Sequence, residues 1–140
     1  MHELSGGCHC GNILVHLRLN RTPDSYSPRA CDCGFCRKHG AAYLSDAQGA
    51  VAIHIRDQRE SATYRQGSGA AECLICRKCG VLIGALYRGG EKLYATVNVN
   101  VIDSGVHFAA EQPVSPQKLT EAEKIQRWQQ LWFRDVEIIS

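Results

Sequence analysis

The sequence lacks the features that would assign it to a membrane or to nucleic acid. No apolar run approaches the roughly 18–20 residues that a membrane-spanning helix needs, and residues 1–7 lack the apolar core of a signal peptide. The 16 Lys and Arg residues nearly balance the 14 Asp and Glu residues, and they are dispersed along the chain. A nucleic-acid-binding face would need clustered cations. We therefore expect a cytoplasmic protein whose partners include neither membranes nor nucleic acids.

Low-complexity segments and internal repeats are also absent from the sequence. Its 44% hydrophobic and 21% charged residues are typical of a folded globular protein, whereas disordered chains contain fewer apolar residues. A chain of 140 residues is close to the usual size of one domain. We therefore predict a single domain over residues 1–140.

Cysteine, by contrast, is frequent, with eight residues in three clusters. The clusters contain, in order, Cys8 and Cys10; Cys31, Cys33 and Cys36; and Cys73, Cys76 and Cys79. In a reducing compartment, grouped cysteines are more often metal ligands than disulfides. The alternative is a secreted disulfide scaffold, in which disulfides would cross-link distant parts of the chain. The close C-x-C pairs argue against this alternative, because they suit a tight turn around a metal ion better than a distant cross-link. The spacing therefore predicts metal binding.

The first and last clusters together offer a closed metal site. Zinc prefers four ligands in a tetrahedral array, and thiolates are common ligands of structural zinc. Cys76 and Cys79 form a C-x2-C-G turn, in which the following glycine tolerates a positive φ, and Cys8 and Cys10 form a tighter version. We predict that these four cysteines bind one structural zinc ion, which contributes on the order of 10 kcal/mol to folding.

The middle cluster has an odd number of thiols. Three protein ligands and an open fourth position are the arrangement of a catalytic zinc ion. We therefore predict that Cys31, Cys33 and Cys36 are catalytic residues that bind a second zinc ion, which lowers the pKa of an incoming thiol or water. Arg37 and Lys38 follow directly and are candidates for binding an anionic substrate. The alternative is that both are solvated surface cations.

Cys73, the eighth cysteine, has no evident place in either set. A buried thiol without a ligand role is the preferred interpretation. The alternative is that Cys73 supplies the fourth ligand of one of the two sites. Asp32, His9 and His39 are further candidate ligands, but each is interpreted as an exposed group or as a neighbour of the metal ligands.

Apolar alternation predicts a mainly β fold. The predicted strands cover residues 12–19, 26–30, 50–55, 63–65, 81–87 and 92–101. His16 and His54 fall on the faces opposite the apolar residues, so both are expected to be exposed. Residues 34–40 are predicted to form a turn or a short helix that ends at Gly40.

The end of the sequence predicts a short C-terminal helix. Thr120 and Glu123 form a capping box at its start. Apolar residues then recur at helical spacing at Ile125, Trp128, Leu131 and Trp132. A helix with such a face packs on a sheet. The two tryptophans are interpreted as core anchors, with a binding platform as the alternative.

Three short motifs surround the cysteines: Gly7-Cys8-His9-Cys10-Gly11; Cys31-Asp32-Cys33-Gly34-Phe35-Cys36-Arg37 with Gly40; and Cys76-Arg77-Lys78-Cys79-Gly80. Their order and separation resemble the signature of the glutathione-dependent formaldehyde-activating enzyme (Gfa)/CENP-V family. The resemblance covers residues 6–103, including a short motif at 101–103, and the C-terminal extension 106–140 lies outside it.

The resemblance implies a compact antiparallel β-tent-like fold with two zinc sites. In the family, the first and last clusters hold a structural zinc ion, and the middle cysteines hold a zinc ion that takes the glutathione sulfur as its fourth ligand. The implied activity is that of a carbon–sulfur lyase that interconverts S-(hydroxymethyl)glutathione with formaldehyde and glutathione. The chain departs from the family at Asp32, where histidine is common, so the charge of its middle site differs.

Two other functions are alternatives to the lyase. The first is a non-catalytic, zinc-stabilised binding module. The second is a thiol redox sensor in which Cys31, Cys33 and Cys36 oxidise reversibly, as exposed thiols with a low pKa do. The number of zinc ions bound per chain distinguishes these functions. Two ions, with one of them labile and capped by glutathione, favour the enzyme.

Overall fold

The computed structural model describes residues 1–103 and 105–140. The eleven strands and two α-helices in these segments confirm the mainly β fold and the short C-terminal helix. The strands are β1 (His2–Gly7), β2 (Ile13–Leu19), β3 (Arg29–Cys31), β4 (Tyr43–Leu44), β5 (Ala50–Ile55), β6 (Ser61–Tyr64), β7 (Glu72–Cys76), β8 (Leu82–Gly89), β9 (Lys92–Asn98), β10 (Gln112–Val114) and β11 (Asp135–Ile139). The helices are α1 (Gly34–His39) and α2 (Glu121–Leu131). Within the described residues, no helix is long and apolar enough to cross a membrane.

The smaller sheet has four strands in the order β1-β2-β5-β11. Strand β2 buries every second side chain and turns the others outward, as its apolar alternation predicted. On the neighbouring strand β5, Val51, Ile53 and Ile55 are buried on the same side of the sheet. His54 is exposed and His16 is partly exposed on the outer face. This sheet therefore contributes one closely packed apolar face to the core.

The larger sheet has seven strands in the order β10-β3-β4-β9-β8-β7-β6. Strands β8 and β9 form the predicted hairpin, in which Gly90 has a φ of +65°. Residues 82–86 of β8 are all buried, which is expected of a strand covered on both faces. Apolar residues of both sheets meet in one core cluster.

Strand β9 ends at Asn98, although the sequence predicted a strand as far as residue 101. Residues 99–101 form a 3-10 turn instead. Asn98 Oδ1 accepts a hydrogen bond from the backbone N–H of Asn100 at 3.2 Å, and Asn98 Nδ2 donates to the carbonyl of Leu82 at 3.0 Å. The buried side-chain amide of Asn98 thus provides the hydrogen bond that the backbone of the turn needs. This local hydrogen bond outweighs the preference of the alternating valines for a strand.

Two strand pairings are parallel, whereas the implied fold is antiparallel. Strand β10 pairs with β3, and β11 pairs with β5. Both β10 and β11 belong to the C-terminal extension, for which the sequence predicted no strand. The extension therefore completes one edge of each sheet.

Phe133 anchors the C-terminal extension to the larger sheet. Its side chain is fully buried, at 0% exposure. Its backbone N–H donates to the carbonyl of Ala95 at 2.9 Å, and its carbonyl accepts from the N–H of Ala95 at 3.1 Å. The sequence interpretation placed the anchors at Trp128 and Trp132. Both are half-buried, and Trp132 packs against a second cluster of buried residues.

Phe133→Ala is expected to lower the free energy of unfolding by about 3–5 kcal/mol, because the substitution leaves a cavity in a packed core. Urea denaturation followed by circular dichroism measures the change. Ile139→Ala is a suitable control, since Ile139 is 39% exposed, and it should change the free energy by less than about 1 kcal/mol. Equal losses in the two variants would contradict the anchoring role.

Candidate metal sites and the adjoining cavity

The structure brings the first and last cysteine clusters together. The sulfurs of Cys8, Cys10, Cys76 and Cys79 all lie within 4.8 Å of one another. Cys10 Sγ is 3.7 Å from Cys8 Sγ and 3.5 Å from Cys76 Sγ. Ligands at about 2.3 Å from a tetrahedral zinc ion are about 3.8 Å apart. Four thiolates in this arrangement therefore fit zinc.

Two backbone turns direct these four sulfurs towards one another. In the first turn, the N–H of Cys8 donates to the carbonyl of Ile13 at 2.9 Å, and the N–H of Ile13 donates to Cys8 Sγ at 3.3 Å. In the second turn, the N–H of Gly80 donates to the carbonyl of Cys76 at 2.8 Å. Gly11 and Gly80 have φ values of +84° and +82°, a region that favours glycine. The turns thereby join the end of β1 to the end of β7.

Hydrogen bonds stabilise negative charge on one of these four sulfurs, that of Cys79. Burial raises the pKa of Cys76 to about 12. Burial also opposes ionisation of Cys79, but hydrogen bonds from the backbone N–H groups of Cys10 and Val81 and from neighbouring thiols lower the pKa of Cys79 to about 6. Metal binding requires deprotonated thiols, so this environment suits a cation.

The middle cluster is assembled at the start of α1. Cys31 ends β3, Cys33 is the N-cap of α1, and Cys36 lies within the helix. The backbone N–H of Cys36 donates to Cys33 Sγ at 3.4 Å, and the three sulfurs lie within 4.8 Å of one another. Gly40 ends the helix at a φ of +61°, as predicted. Three thiolates at this separation fit zinc and leave its fourth position to another ligand.

Cys31 carries negative charge more readily than Cys36 does. Its hydrogen bond with Cys36 lowers the pKa of Cys31 to about 6 and raises the pKa of Cys36. The hydroxyl of Tyr43 lies 3.1 Å from Cys36 Sγ. Burial raises the pKa of Tyr43, so its phenol stays protonated at neutral pH and can donate a hydrogen bond.

A cavity of about 120 Å³ adjoins the middle cluster. Cys31, Cys36 and Tyr43 line one side of it, and Trp128 and Trp132 of α2 line another. The two indole rings are stacked, with centroids 5.0 Å apart and an interplanar angle of 24°. This placement favours the second interpretation of the tryptophans, a binding platform. Two cysteines of the middle cluster thus line a partly enclosed, mainly apolar space.

Cys73 lines the same cavity as Cys31 and Cys36. Its side chain is buried at 5% exposure on β7, and among the described residues it belongs to neither set of converging sulfurs. Burial raises the pKa of Cys73 to about 11. Cys73 is therefore a buried, protonated thiol in the cavity wall, a position that the sequence did not predict.

The cations beside the cavity are not the two that the sequence singled out. Arg37 and Lys38 are exposed on α1, and their role in binding stays a prediction. Arg29 of β3 and Lys124 and Arg127 of α2 line the cavity. Sequence reasoning missed this group because β3 and α2 are distant along the chain. The sequence did contain one signal, since Lys124 and Arg127 are three residues apart in the predicted C-terminal helix and residues at this spacing share one face of a helix.

Asp32 lies beside the cavity wall and fastens β10 to the middle cluster. Its Oδ2 accepts a hydrogen bond from the hydroxyl of Ser115 at 2.5 Å, and its N–H donates to the carbonyl of Val114 at 3.0 Å. Its Oδ1 is buried without a hydrogen-bond partner in the described part of the chain. Asp32 belongs to neither set of converging ligands there, and His9 and His39 are exposed.

Ser115→Ala is expected to lower the free energy of unfolding by about 1–3 kcal/mol, because it leaves both carboxylate oxygens of Asp32 without a partner. Thermal and urea denaturation measure the loss. Ser68→Ala removes an exposed hydroxyl and should change stability by less than about 0.5 kcal/mol. If the two variants are equally stable, the hydrogen bond to Asp32 does not hold β10.

Comparison with known proteins adds a family assignment. Residues 3–120 match the family model described as glutathione-dependent formaldehyde-activating enzyme. A crystal structure of a Rhodobacter sphaeroides protein is similar, with a TM-score of 0.54 and 28% sequence identity over 74% of this chain and 90% of that chain. No curated protein matches the chain significantly. The matched segment contains all three cysteine clusters and ends just before α2. Because the model matches more than half of the sequence, this chain belongs to the glutathione-dependent formaldehyde-activating enzyme family.

Proposed function

We propose that the chain is a zinc-dependent carbon–sulfur lyase. It interconverts S-(hydroxymethyl)glutathione, or a closely related thiol adduct, with formaldehyde and the free thiol. The observation that carries the proposal is the opening of Cys31 and Cys36, two members of a three-sulfur set, onto a partly enclosed cavity. Structural zinc has four protein ligands, whereas catalytic zinc keeps one position for water or substrate.

The residues around the cavity have distinct roles in this proposal. Cys31, Cys33 and Cys36 would hold a zinc ion, which when bound stabilises a thiolate as nucleophile in one direction and as leaving group in the other. Tyr43 offers a hydrogen bond to the hydroxymethyl oxygen. Trp128 and Trp132 shield the reacting carbon from bulk water. A cavity of about 120 Å³ accommodates the sulfur end of the adduct, while the rest of the molecule extends towards α2.

The other set, Cys8, Cys10, Cys76 and Cys79, would hold a structural zinc ion. Four thiolates complete a tetrahedral shell and leave no position for a substrate. This set fixes the end of β7, the strand that also carries Cys73 into the cavity wall. The shape of the cavity therefore depends on the closed site, even though no step of the reaction occurs there.

Magnetization exchange by NMR with ¹³C-formaldehyde and glutathione tests the activity. The adduct also forms without an enzyme, so the measured quantity is the exchange rate above this background. A catalytic amount of the zinc-loaded protein is expected to accelerate exchange in both directions. The same concentration of zinc ions serves as the control. Exchange at the background rate in the presence of fully loaded protein would refute the lyase proposal.

A thiol redox sensor is the second candidate function. It is favoured by the closeness of the three middle sulfurs and by the pKa of Cys31, which is about 6. Native and denaturing mass spectrometry of freshly purified protein discriminates between the two functions. Two zinc ions per chain, one of them displaced or capped by glutathione, support the lyase. One zinc ion together with a disulfide in the middle cluster supports the sensor.

A further inference from the structure

Three cations border the cavity beside the middle cluster. Arg29 lies on β3, and Lys124 and Arg127 lie on α2. Among the described residues, the cavity lining contains no aspartate or glutamate. Arg29 is half-buried and forms no ion pair within the part of the chain that the structure describes. The cavity therefore has positive charge at its border, and no carboxylate of the described residues lines it.

Two of these cations lie close to each other. Arg29 and Arg127 also line a second cavity, of about 240 Å³, which shares residues 114, 116 and 119 with the first. Like charges at a half-buried position repel one another. A bound anion between the two guanidinium groups would relieve this repulsion.

Helix α2 presents its cations together with its aromatic rings. Lys124, Arg127 and Trp128 are spaced at i, i+3 and i+4, so they share one face of the helix. Trp132 extends this face by a further turn and stacks on Trp128. The face borders the space into which Cys31 and Cys36 open. A ligand whose sulfur approaches the middle cluster therefore has the three cations within reach.

We infer that Arg29, Lys124 and Arg127 form a carboxylate-binding subsite that selects thiol adducts carrying a carboxylate over neutral or cationic adducts. The inference rests on the proposed function, which puts the sulfur of the ligand at the middle cluster. The guanidinium of Arg29 has the planar geometry that binds a carboxylate through two parallel hydrogen bonds. Two of the three cations lie beyond residue 120, where the family match ends, so the C-terminal extension determines the ligand preference of this chain.

The two tryptophans provide a direct measure of ligand binding. Trp128 and Trp132 are the only tryptophans in the sequence, and both line the cavity. The zinc-loaded full chain is titrated with S-methylglutathione, whose capped sulfur does not ionise, and with the dimethyl ester of the same compound, which lacks free carboxylates. We expect quenching of tryptophan fluorescence, with the acid binding at least about tenfold more tightly than the ester, since one hydrogen bond between charged groups typically contributes this factor. The preference should decrease as salt is added.

Substitutions of the two arginines test whether the preference arises from this group of cations. Arg29→Gln and Arg127→Gln are each expected to remove most of the tenfold preference, and Arg127→Glu is expected to reverse it in favour of the ester. Arg56→Gln is the matched control, because it removes the same charge at an exposed position outside the cavity lining. Arg127 is exposed on α2, so its variants test the subsite even if Arg29→Gln is poorly folded.

Equal binding of acid and ester, or binding of neither, would overturn the subsite. So would an equal loss of preference in Arg56→Gln and Arg127→Gln, since the effect would then reflect net charge alone. Lyase turnover is measured separately. Turnover without a carboxylate preference would contradict the subsite but not the proposed function. A carboxylate preference without turnover would contradict the lyase proposal but not the subsite.

Discussion

Cys76→Ser is expected to abolish binding of the structural zinc ion and to leave the chain largely unfolded. Structural zinc contributes on the order of 10 kcal/mol in small domains, which is comparable to the whole free energy of unfolding of a typical domain, about 5–15 kcal/mol. Cys76 has 0% exposure, so a serine hydroxyl at this position would also be desolvated. Circular dichroism and the zinc content per chain measure the outcome.

Cys73→Ala is the matched control for this prediction. Cys73 lies on the same strand as Cys76 and is also buried, at 5% exposure, but it belongs to neither set of converging sulfurs in the described residues. The control should keep both zinc ions and lose only about 1–2 kcal/mol of stability, because only a small buried side chain is shortened. If Cys76→Ser instead keeps two zinc ions and melts like the control, the closed site is assigned to the wrong residues.

Cys33→Ser is expected to abolish lyase turnover while the protein stays folded. Serine is a favoured N-cap residue, so α1 should keep its cap, and the four-thiolate set is untouched. The zinc content should fall from two ions to one. The exchange rate should fall by at least about 100-fold towards the spontaneous rate, since a catalytic metal contributes several kcal/mol.

The same NMR exchange experiment, run beside Cys73→Ala, tests this second prediction. Cys73 lines the cavity, so a modest change in rate with both zinc ions retained is expected for Cys73→Ala. A Cys33→Ser variant with two zinc ions and the wild-type rate would show that the middle cluster is not the catalytic centre.

Each cysteine turn was predictable because it is local in sequence, whereas the meeting of the first and last clusters depends on the fold. The C-x-C and C-x2-C spacings bring neighbouring sulfurs together, and Gly11 and Gly80 supply the positive φ at which the turns close. Strands β2 and β5 were equally predictable, since each buries one face and alternates strictly. In these elements the local preference and the tertiary environment agree.

The walls of the cavity were not predictable, because they depend on contacts between distant segments. Strand β10 has only three residues, which is too short for alternation to indicate a strand. Cys73 enters the cavity wall because β7 pairs between β6 and β8. Arg29 and Arg127 are distant along the chain and line the same cavity only in the folded structure. No periodicity within one segment contains this information.

Anomalous X-ray diffraction at the zinc absorption edge, on a crystal of the purified protein, tests the division of the sulfurs most directly. We predict two zinc peaks, one about 2.3 Å from the sulfurs of Cys8, Cys10, Cys76 and Cys79, and the other at the same distance from those of Cys31, Cys33 and Cys36. A single peak in a fully zinc-loaded crystal, or a zinc ion bound by Cys73, would contradict this division.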